Sequence, residues 1–495
     1  MEVIEIMNQL EQTLQELGRK VVENNHWRQR RCFNLIPSEN TPSLLVKLCE
    51  ISDPSGRYAE HKTALKKERA ALEGSGALKG DQVYYYQATD FIFEVEERLK
   101  EEFGRYISAS EVEARTISGQ MANEVVFKAM VKFLAAGKEG FPTLTGTGRM
   151  TTAMNNNLNY GGHLSAQPFG ALFNFVEGDV VHFPLVENNF YKTDVNKMLE
   201  LVDQHRPPLL IFGKSMFLHP EPVKPLREFI AKTDGYHPVV MYDAAHVMGI
   251  LGPHFQDPLA EGADVVTGST HKTFFGPQRG IIAANMPKES PLRKLWSEIN
   301  SRTFPGSTSN HHLGTLLALL VATIEMNHFK DEYQAQVVAN AKAFAKACAG
   351  HGIPVEGGED DGYTATHQVV IRVAKFADAK EIAHRLEKNN VVTNYQALPD
   401  DETFYHPSGI RMGVSEMTRF GMKEKDFDNL ARLMADIIIH DKNVGAEVAE
   451  YRKQFGKMHY CLGLEETLKI APAIFESLFP NSEYFQAVAK ALSRL

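Results

Sequence analysis

Cysteine is scarce in this chain. Cys32, Cys49, Cys348 and Cys461 are scattered through 495 residues, with no CxxC pair and no zinc-ligand spacing. That pattern excludes a disulfide scaffold and predicts free thiols in a reducing compartment. A basic excess is also lacking: 53 Lys and Arg stand against 62 Asp and Glu, a net charge of −9. Such a balance carries no electrostatic footprint for nucleic acid or an anionic membrane. Long hydrophobic runs are missing. The strongest, Leu313 to Met326, is interrupted by polar residues and falls short of the ~20 apolar residues that span a bilayer. It predicts a buried helix. The opening Met1-Glu2-Val3-Ile4-Glu5 has neither the basic nor the apolar region of a signal peptide, so the cytoplasm is the expected location. HExxH, P-loop and GxGxxG motifs do not occur, which removes the usual zinc-hydrolase and nucleotide-binding readings.

What is present is the composition of a globular protein, 43% hydrophobic and 23% charged, at a length that suits two or three domains. Met7, Leu10, Leu14, Leu17 and Val21 recur every three or four residues, the stripe of an amphipathic helix. Residues 1–55 read as a helical arm that lies on another surface. Apolar runs without alternation follow at Val180–Phe183, Leu209–Phe212, Val239–Tyr242, Val265–Thr267 and Gly280–Ala283. They suit strands covered on both faces, and helical patterns between them predict a mostly parallel α/β sheet over residues 56–324. Residues 325–495, with a helical pattern from Asp331 to Ala349 and a strand-like Val369–Val373, read as a smaller α+β domain.

Ligands of open α/β sheets sit beyond the carboxyl ends of the strands. Lys272 stands there, in Ser269-Thr270-His271-Lys272-Thr273, and Asp243 stands there after the preceding strand, in Asp243-Ala244-Ala245-His246. Taken singly, each has a bland reading, as a loop lysine and as a helix-capping aspartate. Together they have the layout of a pyridoxal phosphate (PLP) enzyme: a Schiff-base lysine and a carboxylate that faces the pyridinium nitrogen. Ser118-Gly119-Gln120 opens a helical segment, Met121 to Leu134, and a helix N-terminus suits the cofactor's phosphate.

Here the chain resembles the serine hydroxymethyltransferase family. The matching stretches are Leu35-Ile36-Pro37-Ser38-Glu39-Asn40, Arg57-Tyr58-Ala59-Glu60, Tyr85-Tyr86, Ser118-Gly119, Gly161-Gly162-His163-Leu164, Asp243-Ala244-Ala245-His246, Thr270-His271-Lys272-Thr273, Phe304-Pro305-Gly306 and Ser408-Gly409-Ile410-Arg411. They run in family order over roughly residues 30–440. The resemblance implies an α/β, fold-type I PLP-dependent transferase (aspartate aminotransferase-like). It assigns Lys272 to the cofactor's aldehyde, Asp243 to its ring nitrogen, His163 to its ring face, and Ser118, Gly119 and Gln120 to its phosphate. Gly306 would assist from a partner subunit. His246 would bond the phenolic oxygen or the substrate carboxylate, and Ser215 and His271 would also contact the cofactor. Arg411 and Ser38 would bind the amino acid's carboxylate, Glu60 would be its acid/base group, and Tyr58 and Tyr86 would complete the pocket. Tyr58, Glu60 and Tyr85/Tyr86 reach across a dimer interface in this family, so a homodimer with shared active sites is implied.

The chain departs from the family pattern in places that bear on its substrate. His61 to Val83 is an insert where the family has a short link, readable as a lid or as a solvated excursion. Ser165-Ala166-Gln167-Pro168 replaces a Thr-His-Gly stretch that borders the folate pocket, and Gln396 replaces an asparagine near the pterin. Gln278 takes the place of an arginine, with Arg279 one residue later as an imperfect substitute; Ser307 replaces a glycine, and a tail follows residue 455. The reading is a PLP-dependent enzyme that makes or breaks the Cα–Cβ bond of β-hydroxy-α-amino acids, favoured as a folate-independent aldolase or transaldolase. A tetrahydrofolate-dependent hydroxymethyltransferase is the alternative, with other PLP chemistry at Cα, Cβ or Cγ behind it. A non-catalytic descendant is disfavoured by the joint presence of Lys272, Asp243, Glu60 and Arg411.

Overall fold

The computed structural model describes residues 2–137 and 140–493; Met1 of the opening stretch lies outside the described residues. At its centre is a seven-stranded sheet of Glu111–Glu113 (β1), Ala153–Asn155 (β2), Val180–His182 (β3), Leu209–Phe212 (β4), Val239–Asp243 (β5), Val265–Ser269 (β6) and Gly280–Ala284 (β7), in the order β1-β7-β6-β5-β4-β2-β3. The pairs β3–β2, β2–β4, β4–β5 and β5–β6 are parallel, and β7 runs antiparallel to both β6 and β1.

The unbroken apolar runs follow from burial on both faces. Successive strand side chains alternate sides. Leu209, Ile211, Val239, Met241 and Val265 join one core, and Leu210, Phe212, Val240, Tyr242 and Val266 join the other. Asp90–Ile107 (α1), Gly119–Ala135 (α2), Arg293–Thr303 (α3) and Leu313–Gly350 (α4) are the principal helices around the sheet. From α2 come Val125, Val126 and Phe133, and from α3 come Leu295, Trp296 and Ile299, to cover the first face. Leu99 and Phe103 of α1 and Leu316 and Leu319 of α4 belong to the second core.

The buried run at Leu313 to Met326 and the helical pattern from Asp331 are one uninterrupted helix, α4, which passes through residue 325. Beyond it, Gln368–Arg372 (β8), Asn394–Gln396 (β9) and Gly409–Gly413 (β10) form an antiparallel sheet with β10 in the middle. Phe33–Asn34 pairs in parallel with Val391–Val392, which ties the N-terminal segment to this part of the chain. The tail folds as two helices, Leu464–Ser477 and Ser482–Leu492, the first packed by Ala471 on Leu45 and Leu48. Helix Glu2–Arg30 carries the expected stripe, but Met7, Leu10, Leu14, Leu17 and Val21 are all exposed within the single chain. No described helix is long and apolar enough to cross a membrane.

The insert is folded. His61–Thr63, Gln82–Tyr84 and Leu78–Lys79 make a small antiparallel sheet, and Lys66–Leu72 is a helix beside it. Glu60 and Tyr85 leave the base of this sheet together, joined by a bond from the Tyr85 amide to the Glu60 carbonyl, 3.1 Å.

Leu319, fully buried on α4, marks where this long helix supports the second core. Leu319→Ala is expected to lower unfolding free energy by about 2–5 kcal/mol, through lost burial and a residual cavity, as read by urea denaturation.

Candidate active site

The parallel strands β5 and β6 are neighbours, and both end at the same edge, so Asp243 and the loop after Ser269 come together there. Asp243 is buried. A buried carboxylate requires donors, and four surround it. Its Oδ2 contacts His163 Nδ1 at 2.5 Å, accepts from Asn123 Nδ2 at 2.7 Å and is 3.4 Å from Ser165 Oγ; its Oδ1 accepts from the Ala245 amide at 3.0 Å. Burial pushes the Asp243 carboxyl up, but His163, Asn123 and the Ala245 amide together hold it below the usual range. Thr267 Oγ1 in turn donates to Asn123 Oδ1, 2.5 Å, which orients that amide.

Lys272 lies on the same edge, with Nζ 3.2 Å from His246 Nε2. Burial lowers its amine to about 8, with Arg411 adding to the effect and Asp243 opposing it. His246 is driven well below the ordinary imidazole range by burial and by Lys272 and Arg411, and burial takes His271 down to about 4. Arg411, on β10, reaches this edge from the other sheet and donates to the Ser215 carbonyl at 2.8 Å. Gln368 donates to the same carbonyl, and the Ser215 amide bonds Gly161. His367 Nε2 is bonded to the Pro37 carbonyl, beside the family-like segment that contains Ser38.

Several groups at this edge have polar atoms without protein partners: Arg411 Nε, His246 Nδ1 and His271 Nδ1 are buried and unbonded. Buried polar atoms ordinarily find partners, so the edge suits a polar occupant. Ser118 caps α2, its Oγ accepting from the Met121 amide at 3.1 Å, and Gly119 lies so close to Ser269 that an added Cβ would stand 2.4 Å from its Oγ. Gln120 is exposed beside them. A lysine of lowered pKa, an ionised aspartate, orphan donors and a capped helix N-terminus fit PLP. Lys272 would hold its aldehyde, Asp243 its ring nitrogen, and Ser118 and Gly119 its phosphate. A cavity of about 520 Å³ bounded by Ser38, Glu39, Asn40, His271 and Gln278 opens nearby.

The remaining sequence-derived residues stand apart from this group within one chain. Tyr58 and Tyr86 pack on each other, ring centroids 5.2 Å apart, and are 53% and 41% exposed; Glu60 is half-buried. No hydrogen bond or ring contact among the described residues joins Tyr58, Glu60 or Tyr86 to Lys272, His246 or Arg411. Gly306 is exposed near Lys128 Nζ, part-way along α2 and away from its N-terminus. Arg279 does not line the loop surface as a substitute for the family arginine. It is fully buried, and its guanidinium donates to the carbonyls of Ala114, His311 and His312. Sequence reasoning did not single out Asn123 or His367. The only signals for them were a polar residue on the apolar face of a helix and a histidine at the entry to a strand.

A sequence profile described as serine hydroxymethyltransferase matches residues 10–434. The serine hydroxymethyltransferase of Pyrobaculum islandicum is 37% identical over 472 residues, covering 95% of this chain and 99% of the relative. That of Archaeoglobus fulgidus is 36% identical over 448 residues, covering 89% and 91%. Among solved structures, L-threonine transaldolase from Pseudomonas fluorescens in its internal aldimine state superposes with a TM-score of 0.79 at 25% identity, covering 96% of this chain and 99% of that one. The ordered motifs, the α/β fold and the Lys272–Asp243 edge agree with these matches: the chain belongs to the serine hydroxymethyltransferase family and is a PLP-dependent enzyme that makes or breaks the Cα–Cβ bond of β-hydroxy-α-amino acids.

Proposed function

We propose that within this family the chain acts as a folate-independent aldolase or transaldolase on a β-hydroxy-α-amino acid such as threonine. The observation that carries this reading is Gln167. Its side chain, 2% exposed, donates to the carbonyls of Asn156 at 3.0 Å and His163 at 3.1 Å. It therefore occupies space where the family's folate-bordering stretch has glycine. The likeness to a threonine transaldolase over nearly the whole chain supports the same direction.

PLP, when bound, supplies an electron sink for the pair left at Cα. The protein's part is to bind, orient and move protons. Lys272, with its amine lowered to about 8, is a nucleophile in mildly alkaline solution. Asp243 would present a negative charge to the ring nitrogen; a pair of unit charges at about 4 Å in an effective dielectric of about 20 is worth about 4 kcal/mol. Arg411 offers its unbonded Nε to the substrate carboxylate, a task that Ser38 shares. Glu60 takes the proton from the β-hydroxyl as the bond breaks and returns it when a new aldehyde is joined.

The exposure of Tyr58 and Tyr86 in the single chain, and their lack of contact with the Lys272 group, support a homodimer in which these residues and Glu60 complete the partner's site. Gly306, exposed beside the middle of α2 and away from the N-terminus of its own chain's helix, fits the same arrangement. The lack of a basic excess, and of a membrane-length helix among the described residues, is in keeping with small-molecule substrates and a cytoplasmic setting.

The purified, PLP-loaded protein should release acetaldehyde from L-threonine without added folate. Serine turnover that appears only with tetrahydrofolate would overturn the folate-independent reading. Arg411→Leu should raise the KM for the amino acid by about 10- to 150-fold, from the loss of a charge-assisted hydrogen bond worth about 1.5–3 kcal/mol, as read by initial-rate kinetics. The Lys272 ammonium persists below about pH 8 and is lost above it. The rate at which apoprotein captures added PLP should therefore rise with pH and reach half its maximum near 8, rather than near 10.5, in stopped-flow absorbance.

A further inference from the structure

The insert begins and ends on a buried polar cluster that the chemistry above does not use. His61, Glu96 and His311 are each almost wholly inaccessible. His61 Nε2 lies 3.0 Å from Glu96 Oε2, His311 Nε2 lies 2.6 Å from Glu96 Oε1, and Tyr84 Oη donates to Glu96 Oε2 at 2.8 Å. His61 and Tyr84 are paired across the insert's sheet and stack face to face, centroids 4.5 Å apart. One carboxylate on α1 thus gathers both ends of the insert and the segment that leads into α4.

The proton count follows from the partners. His61 Nδ1 faces the carbonyl of Ala59 at 3.0 Å. A carbonyl only accepts, so Nδ1 bears a hydrogen. Nε2 faces the Glu96 carboxylate. Burial works to raise the Glu96 carboxyl, but His61 and His311 hold it well below its usual range. Burial lowers His311 to about 4, so it donates as a neutral ring. Two guanidinium cations face the cluster: Arg115, paired with Glu113, donates to the His61 carbonyl at 3.0 Å, and Arg279 donates to the His311 carbonyl at 2.6 Å. The three ligand atoms also lie close enough together to hold a metal ion. Contacts of hydrogen-bond length and two guanidinium groups nearby favour protons there instead.

The cluster touches the backbone on either side of the residues assigned to substrate. Asn310, next to His311, donates to the Arg57 carbonyl at 2.6 Å and accepts from the Ala59 amide at 3.4 Å, bracketing Tyr58. His61 holds Ala59 and directly follows Glu60. Tyr84 directly precedes Tyr85, whose amide is bonded to the Glu60 carbonyl.

We propose that the His61–Glu96–His311 network is a positioning device that sets Tyr58, Glu60 and Tyr86 for proton transfer at the substrate's β-hydroxyl. His61, Glu96 and His311 are positioning residues and touch no reacting atom. This inference rests on the role given to Glu60 above.

The test compares two reactions of the PLP-loaded enzyme: threonine cleavage, which involves a β-hydroxyl, and exchange of the Cα proton of glycine, which does not. Glu96→Gln should reduce kcat for cleavage about 10²-fold, as an ångström-scale displacement of a catalytic group does. Cofactor absorbance and glycine exchange should stay unchanged. His311→Leu should behave in the same way, while His311→Gln, which restores a donor at the Nε2 position, should recover cleavage. Should Glu96→Gln fail to fold, the His311 pair decides. Equal loss of cleavage and exchange, or no recovery with His311→Gln, would overturn the proposal, as would one tightly bound zinc per chain in elemental analysis of the wild type. Glu60→Gln separates the two readings. If it spares cleavage, the role of Glu60 fails and the purpose of the network with it. If it lowers cleavage while the Glu96 and His311 variants do not, only the positioning role fails.

Discussion

A carboxylate buried at the edge of an apolar sheet is costly to keep ionised, and the site is organised around meeting that cost at Asp243. Asn123 from α2, His163 and Ser165 from the loop after β2, and the Ala245 amide all converge on its two oxygens. They come from three separate parts of the chain. The carboxylate therefore draws the helix whose N-terminus suits the phosphate and the loop that follows Gly161-Gly162 to the end of β5. Its negative charge also acts on Lys272, where it opposes the lowering caused by burial and by Arg411. The lysine keeps an amine near neutrality, poised between nucleophile and cation.

A second buried carboxylate, Glu96, is met by the same physical means. Imidazoles and a phenol surround it in place of water, and the elements they come from are fastened to one point on α1. The two centres have different consequences. Donors around Asp243 shape the chemistry of an occupant at the sheet edge, whereas donors around Glu96 join backbone segments.

Much of the fold was legible because parallel strands covered on both faces require apolar residues at every position. Val239–Tyr242 and Val265–Thr267 could be located from that alone, and their carboxyl ends pointed to Asp243 and Lys272. Ser118 was legible as a cap, and the ordered motifs placed the rest within a known family. Less could be read where sequence separation hides a contact. Nothing local marks Asn123 as a partner of Asp243, since the two are 120 positions apart. Arg279 looked like a displaced loop arginine, yet its side chain turns inward to backbone carbonyls left by β1 and by the segment before α4. The insert was open to two interpretations because its basic helix is surface-like, while the residues that fix it, His61 and Tyr84, stand at its two ends.

The sequence by itself determined the family, the cofactor, the α/β sheet and the identity of the chemical groups, because hydrophobic periodicity and short motifs are local properties of the chain. Tertiary structure decided which of those groups share an environment. It set the lowered pKa of Lys272, the ring of donors on Asp243, the inward turn of Arg279 and the meeting of His61, Glu96 and His311. Burial and electrostatic coupling depend on atoms brought together from distant positions, and no local pattern encodes the distance between them.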